Sequence, residues 1–154
     1  MTQILTENLC FAEGPRWRDL HLWFSDMHAQ EILKIDPDGK KEVVLKLDDD
    51  QPSGLGWLPN GDLLFVAMTS RQLRRFDGQQ VYLHSDLSQL ASGKLNDMVV
   101  NTKGYAYVGN FGFDLHGGEK PRQAELILCD PSGEASLVDE DMSFPNGACL
   151  LYTS

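Results

Sequence analysis

The sequence has few cysteines, few basic residues and no long apolar segment. Its three cysteines, Cys10, Cys129 and Cys149, form no Cys-x-x-Cys pair and are odd in number, which is typical of a reducing compartment. We therefore expect a cytoplasmic protein without disulfides. Only 13 Lys and Arg stand against 23 Asp and Glu, and a net charge of −10 disfavours nucleic acid and anionic lipid as partners. No apolar run approaches the roughly 18 residues that cross a bilayer, so no membrane partner is expected.

The sequence also lacks the motifs of several enzyme classes. There is no Gly-x-Ser-x-Gly elbow, and Cys10 has no evident His and Asn partners, so covalent nucleophilic catalysis has little support. The four histidines show no spacing typical of zinc ligands. Asp36 and Asp38 resemble the start of a calcium loop, but the Glu that an EF-hand needs six residues after its glycine is Leu45 here. The segment is predicted to be a plain turn.

A repeat is the strongest positive signal in the sequence. Three units align, each with an apolar strand, a polar turn and a second strand, and they open at Glu13, Ser53 and Asn96. A fourth opening is predicted at Asn146 in Pro145-Asn146-Gly147. The openings are about 40 to 50 residues apart, which is the length of one propeller blade.

Turn residues divide each unit into short strands. Pro59-Asn60-Gly61-Asp62 and Asn101-Thr102-Lys103-Gly104 separate runs rich in Val, Leu, Phe and Tyr, as hairpin loops do. Asp36-Pro37-Asp38-Gly39 and Asp130-Pro131-Ser132-Gly133 have the composition of type I turns. The predicted fold is all-β. Residues 1–154 form a partial β-propeller of about three blades, each with four antiparallel strands, plus the start of a fourth blade.

In a propeller the first strand of each blade lines the central channel, so matching positions converge on one axis. The converging positions carry oxygen in every unit: Glu13, Ser53, Asn96 and Asn146. Hard oxygen ligands of this kind suit Ca²⁺, Mg²⁺ or Mn²⁺. The alternative is that Glu13 and Asn146 only satisfy backbone groups at strand edges. Asp97 should face the opposite side of its sheet from Asn96, because adjacent strand residues alternate.

Four motifs carry a family resemblance: Phe11-Ala12-Glu13-Gly14-Pro15-Arg16-Trp17, Lys94-Leu95-Asn96-Asp97-Met98, Gly109-Asn110-Phe111-Gly112 and Phe144-Pro145-Asn146-Gly147. In this order they resemble the gluconolactonase/regucalcin (senescence marker protein) family. The resemblance implies a six-bladed propeller with one divalent cation, Ca, Mg, Mn or Zn, at the channel mouth. It also implies an enzyme that hydrolyses sugar-type lactones, with a small-molecule lactone as its partner.

The resemblance implies roles for particular residues. Glu13 and Asn146 would bind the metal, and Asn96, Lys94 and Ser53 would bind the substrate. Lys94 stands where many relatives carry an Arg that holds the substrate's hydroxyls or carboxylate, and a lysine offers a point charge in place of a bidentate fork. The aspartate expected to act as general base would lie in a fifth blade, beyond residue 154.

The family's six blades need about twice as many residues as the three counted here. The chain is therefore expected to be an N-terminal half, inactive alone, and residues 148–154 end inside a predicted strand, as in a truncated or incompletely sequenced chain. Terminal sheets without neighbours predict either instability or pairing with another copy.

The alternative function is a non-enzymatic calcium-binding or ligand-binding propeller. A propeller like strictosidine synthase is a third and weaker possibility.

Overall fold

The computed structural model describes residues 4–115 and 117–151. Within these ranges it contains twelve strands in three antiparallel sheets, each built from four consecutive strands. The first sheet comprises β1 (Ala12–Arg18), β2 (His21–Asp26), β3 (Glu31–Ile35) and β4 (Lys41–Lys46). The second comprises β5 (Pro52–Trp57), β6 (Leu63–Ala67), β7 (Gln72–Phe76) and β8 (Val81–Asp86). The third comprises β9 (Leu95–Val100), β10 (Ala106–Asn110), β11 (Ala124–Cys129) and β12 (Ala135–Met142). The all-β prediction is confirmed.

The predicted turns lie between the strands because their residues satisfy the turn backbone. Between β5 and β6, the amide of Gly61 donates to Leu58 O at 2.9 Å, and Gly61 has the positive φ of 95° that glycine tolerates best. Between β3 and β4, Asp36 Oδ1 accepts hydrogen bonds from the amides of Asp38 and Lys40, at 3.0 and 2.9 Å. The Asp36 carboxylate is thus committed to the turn, as predicted against a calcium loop.

The first strand of every sheet carries the same irregularity. In each sheet the first strand (β1, β5 or β9), which we call the inner strand, pairs with the second strand, and this pairing shifts by one residue. The shift comes after the equivalent pairs Ala12↔Asp26, Pro52↔Ala67 and Leu95↔Asn110. Equivalent backbone bonds precede it: the amides of Met27, Met68 and Phe111 donate to the carbonyls of Phe11, Gln51 and Lys94 at 2.9, 3.0 and 2.9 Å. The repeats therefore correspond residue by residue, and Glu13, Ser53 and Asn96 occupy equivalent positions.

The sheets pack face to face around two apolar layers. Ile32, Leu55 and Phe65 lie in the layer between the first and second sheets. Val66 and Val108 lie in the layer between the second and third. The inner strands also approach closely, and β5 contacts both β1 and β9. These contacts place the three equivalent positions near one another at the same end of the strands.

The segment after β12 differs from the prediction. Residues 143–151 contain no strand, so the predicted opening strand of a fourth blade is not formed there. A strand needs a partner for its backbone groups, and none of the twelve described strands pairs with this segment. Within the described part of the chain, no helix is long and apolar enough to cross a membrane.

Candidate functional site

Glu13 lies in β1 directly before the irregularity, opposite Ser25 of β2. The following residue, Gly14, has a φ of 61°, and its backbone lies against the carbonyl of Ser53. The Glu13 side chain is half-buried, and its Oε1 atom is buried with no hydrogen-bond partner among the described residues. A buried carboxylate oxygen without a partner is costly, so this position is the first candidate for binding a cation.

Burial raises the pKa of the Glu13 carboxyl group above its ordinary value, and three neighbours modify that effect. The nearby Ser53 side chain lowers the pKa, the Asp97 carboxylate raises it, and the His28 ring lowers it. Charges act on a carboxyl group through space. The structure therefore places Ser53, Asp97 and His28 within electrostatic range of Glu13, although Glu13, Asp97 and His28 do not form a group positioned to hold a metal ion.

Ser53 and Asn96, the residues equivalent to Glu13, are both almost fully buried. Ser25 Oγ donates to the backbone oxygen of Ser53 at 2.6 Å, which joins the first and second sheets. Asn96 Nδ2 donates to the backbone oxygen of Pro145 at 3.1 Å, which holds the segment after β12 against β9. The Ser25 bond starts from β2, the second strand of the first sheet, whereas the Asn96 bond starts from β9, the inner strand of the third sheet.

Asn146 is placed less favourably. Asn146 is exposed and lies outside any strand, although the backbone oxygen of the neighbouring Pro145 accepts a hydrogen bond from Asn96. Within residues 4–115 and 117–151, no hydrogen bond joins Asn146 to Glu13, Ser53 or Asn96. The structure therefore brings Asn146 near Asn96 through the backbone of Pro145, without a hydrogen bond between the Asn146 side chain and Glu13.

Lys94 lines a cleft of about 300 Å³ at one end of the second and third sheets, and Glu13 is not among the residues that line it. The cleft is lined by Thr69, Arg71, Ser92, Gly93, Lys94, Phe111, Phe113, Asp114, Glu119 and Arg122. Asn110 is fully buried beneath it, where its Oδ1 accepts from the amides of Gly93 and Gly112 at 3.1 and 2.8 Å. Asn110 is thus a support for the cleft and not part of its wall.

Two residues of the site were missed at the level of sequence. Arg16 of β1 reaches across β5 to β9, where its Nη2 lies 2.8 Å from Asp97 Oδ1. Asp97, which alternation along the strand predicts to face away from Asn96, raises the pKa of the Glu13 carboxyl group, and an extra residue in β9 interrupts the alternation at this point. The signal that could have indicated these two contacts is the extra residue that the inner strand of each repeat carries at the same position.

The described residues contain no group of three or more His, Cys, Asp or Glu side chains positioned to hold a metal ion. A cation at Glu13 would therefore need amide, hydroxyl or carbonyl oxygens beside the one carboxylate. Such oxygens are ordinary ligands of Ca²⁺ and Mg²⁺.

Solved structures share this fold. A gluconolactonase from Xanthomonas campestris superposes with a TM-score of 0.73 at 20% identity, over 88% of this chain and 49% of its own. A calcium-binding protein, regucalcin, from Agrobacterium tumefaciens gives 0.71 at 20% identity, over 90% and 46%. A luciferin-regenerating enzyme gives 0.73 at 16% identity, over 90% and 48%. At these identities the likeness establishes the fold, a β-propeller, and the chain spans about half the length of these proteins.

The family comparison is more specific than the structural one. No curated protein gives a significant match to the sequence. Residues 11–151 match the family model described as the SMP-30/Gluconolactonase/LRE-like region, which takes in all four motifs and all three sheets. The chain therefore belongs to the SMP-30/gluconolactonase/LRE-like family, as its motifs predicted.

Proposed function

We propose that the chain is part of a divalent-metal-dependent hydrolase of sugar-type lactones. The observation that carries the proposal is the Glu13 carboxylate, which has one oxygen buried without a hydrogen-bond partner at the point where the inner strands meet. A cation bound there would compensate the cost of burying that charge. Family membership and the gluconolactonase neighbour support the reaction class.

The residues present fit a hard cation. Glu13 would supply a carboxylate oxygen. Asn146, whose segment the Asn96 bond to Pro145 already holds beside β9, would supply an amide oxygen if its exposed side chain turned toward Glu13. Ca²⁺, Mg²⁺ and Mn²⁺ accept such ligands, and Zn²⁺ is the least suited to them of the four ions that the resemblance implies. A bound divalent cation polarises an ester carbonyl and makes water more acidic, which is the chemistry that lactone hydrolysis requires.

The chain's own residues would orient the substrate. Asn96 is almost fully buried and held in place by Pro145, so its remaining amide atoms have a fixed direction. Lys94, at the edge of the neighbouring cleft, would hold hydroxyl or carboxylate oxygens of a sugar acid. Asp97 is held by Arg16 and adds a second negative charge near Glu13. The family resemblance implies a general base in a fifth blade, so the complete activity is proposed for a protein that contains that blade.

A second candidate is a calcium-binding propeller without catalytic activity. One structural neighbour, regucalcin, is described as a calcium-binding protein. In that case the Glu13 cation would only tie the inner strands together. In either case we propose the cytoplasm as the compartment, because the number and spacing of the cysteines suit reducing conditions.

The test is hydrolysis of gluconolactone by the full-length parent, followed as acid release. Activity is measured in chelator and after adding back Ca²⁺, Mg²⁺, Mn²⁺ or Zn²⁺. We expect activity only with a divalent cation, and we expect Glu13→Gln to lower both metal affinity and turnover because an amide donates less charge than a carboxylate. The exposed Glu7→Gln is the matched control. Undiminished hydrolysis in chelator would contradict the proposal, and metal binding without hydrolysis would favour the calcium-binding alternative.

The 154-residue chain alone should show little or no turnover, because the resemblance implies a general base in a fifth blade and the described residues form three sheets. Robust hydrolysis by the purified chain would place the base among the residues described above.

A further inference from the structure

A polar pair at the junction of the first two sheets has no part in the function proposed above. His28 comes two residues after β2, and Gln51 comes directly before β5. Gln51 Nε2 lies 3.3 Å from His28 Nδ1, so the pair links the first sheet to the second. Burial raises the pKa of the Glu13 carboxyl group, and the His28 ring is near enough to lower it. The pair therefore lies at the same end of the strands as the candidate cation position.

Gln51 corresponds to Lys94 in the repeat. Each residue directly precedes the inner strand of its sheet. The Gln51 carbonyl accepts a hydrogen bond from the amide of Met68 at 3.0 Å, and the Lys94 carbonyl accepts one from the amide of Phe111 at 2.9 Å. Gln51 thus stands, one sheet earlier, at the place from which Lys94 is proposed to reach the substrate.

His28 corresponds to Thr69 in the same way. Each directly follows a methionine, Met27 or Met68, whose amide makes the bond that defines the repeat. Thr69 and Lys94 both line the cleft between the second and third sheets. The His28–Gln51 pair therefore occupies, between the first and second sheets, the place that this part of the cleft wall occupies between the second and third.

Both members of the pair are held in position. The His28 ring packs edge-on against the Phe11 ring, with centroids 5.3 Å apart and planes at 67°. The buried Asp26 fixes Phe11, because its Oδ1 accepts from the Phe11 amide at 2.8 Å. The buried Asp50 fixes Gln51, because its Oδ1 accepts from the Gln51 amide at 2.7 Å. A ligand would meet side chains whose directions are already set, which reduces the entropic cost of binding.

The pair offers one hydrogen-bond donor and one acceptor. An amide nitrogen only donates, so His28 Nδ1 accepts from Gln51 and the ring proton lies on Nε2. Within residues 4–115 and 117–151, no hydrogen bond engages His28 Nε2 or Gln51 Oε1. His28 is exposed and Gln51 is partly exposed, so a ligand can reach both. A sugar hydroxyl both donates and accepts, and it can therefore bond to the two atoms together.

We propose that His28 and Gln51 form a second subsite, which binds hydroxyl groups of the substrate between the first and second sheets. It is separate from the cleft at Lys94, because neither residue lines that cleft. The amide and the imidazole suit the uncharged hydroxyls of a lactone ring, whereas a lysine suits an anionic oxygen. The choice of a sugar as the ligand rests on the proposed function.

The test is calorimetric titration of the full-length parent with glucose, which carries the hydroxyls of a sugar lactone but cannot be hydrolysed. His28→Leu and Gln51→Leu should each weaken glucose binding about three- to tenfold, the size of one neutral hydrogen bond. His28→Gln, which keeps a donor near the position of Nε2, should regain most of the affinity. His21→Leu makes the same change at the other end of β2 and should leave the affinity unchanged.

Hydrolysis of gluconolactone gives a second readout. Both leucine variants should raise KM by a similar factor, while metal affinity and the thermal unfolding midpoint stay at the wild-type values. A variant that acted only by loosening the fold would lower the midpoint and change kcat as well.

Three results would overturn the proposal: no binding of glucose by the wild-type parent, equal affinities in His28→Leu and His21→Leu, or a His28→Gln variant as weak as His28→Leu. The last result would assign the loss to packing of the ring and not to its donor. Because glucose is not hydrolysed, weaker binding in the leucine variants supports the subsite even in a parent that hydrolyses no lactone. Metal-dependent hydrolysis with unchanged glucose binding would refute the subsite alone.

Discussion

Arg16 Nη2 lies 2.8 Å from Asp97 Oδ1, although a whole strand, β5, separates β1 from β9. The same guanidinium donates to the backbone oxygen of Leu55 in β5 at 3.1 Å and to that of Met98 in β9. One side chain therefore joins the inner strands of all three sheets. Both partners of the ion pair are largely shielded, with side chains 21% and 12% exposed.

Arg16→Met should lower the free energy of unfolding by about 2 to 3 kcal/mol, because it removes hydrogen bonds from a charged donor and leaves Asp97 without its partner. Urea unfolding measures the effect. Asp19→Asn is the control, since it removes the Arg18–Asp19 pair, in which the Asp19 side chain is 79% exposed. The control should cost less than about 1 kcal/mol. Equal costs for the two variants would show that the Arg16 contacts do not hold the sheets together.

The strands and turns could be predicted from sequence because their signals are local. Pro, Asn, Asp and Gly mark the turns between runs of alternating apolar residues, and each predicted turn lies between two strands. The family motifs likewise led to the correct fold. The predicted strand at Asn146 was not found, because strand formation also depends on a partner that a local pattern does not supply.

The contacts across the inner strands could not be predicted in the same way. The link between Arg16 and Asp97 joins residues 81 positions apart, and it depends on an extra residue that interrupts the alternation of β9.

Glu13→Gln should make the metal-free chain more stable at neutral pH, by about 1 kcal/mol, while it weakens cation binding. The reason is that burial raises the pKa of Glu13, so keeping its carboxyl group ionised at pH 7 opposes folding. Thermal unfolding in chelator and then with Ca²⁺ or Mn²⁺ measures both effects. The added ion should stabilise the wild-type chain more than the variant. Glu7→Gln should behave as wild type throughout, and a destabilised Glu13→Gln in chelator would contradict the prediction.

His84 predicts a pH dependence at the contact between the second and third sheets. Burial lowers the pKa of His84 below its ordinary 6.5, and its Nε2 is buried without a hydrogen-bond partner in the described structure. Between the lowered folded value and 6.5, the unfolded chain binds more protons than the folded chain. The His84 contribution to the free energy of unfolding should therefore decrease as pH falls through this window.

Urea unfolding between pH 5 and 7 tests this dependence. His84→Gln should flatten the pH dependence relative to wild type, by at most about 1.4 kcal/mol per pH unit, the limit for one proton. The raised pKa of Glu13 acts in the opposite direction, but it is common to both proteins and cancels in the difference. His21→Gln, on the first sheet, is the control. If the His84 and His21 variants changed the slope equally, the sheet contact would not be the source.

Gly54 sets the distance between the second and third inner strands. A Cβ atom added there would lie 2.3 Å from the backbone nitrogen of Met98 and 2.9 Å from the carbonyl carbon of Asp97. Neither atom belongs to a flexible side chain, so Gly54→Ala can be accommodated only if β5 and β9 move apart. We expect the free energy of unfolding to fall by about 3 kcal/mol, at the upper end of the cost of overpacking.

Gly78→Ala separates this effect from ordinary backbone strain. Gly78 has a φ of 96°, but nothing lies within 4 Å of its added Cβ atom, so its substitution should cost only about 1 kcal/mol. Gly54→Ala should also weaken cation binding, because it moves β9, and with it Asn96 and Asp97, relative to Ser53 and Glu13. Gly78→Ala should leave cation binding intact. Calorimetric titration with Ca²⁺ or Mn²⁺, under conditions where both variants are folded, measures this difference. An unchanged affinity in Gly54→Ala would mean that cation binding does not depend on how the inner strands approach one another.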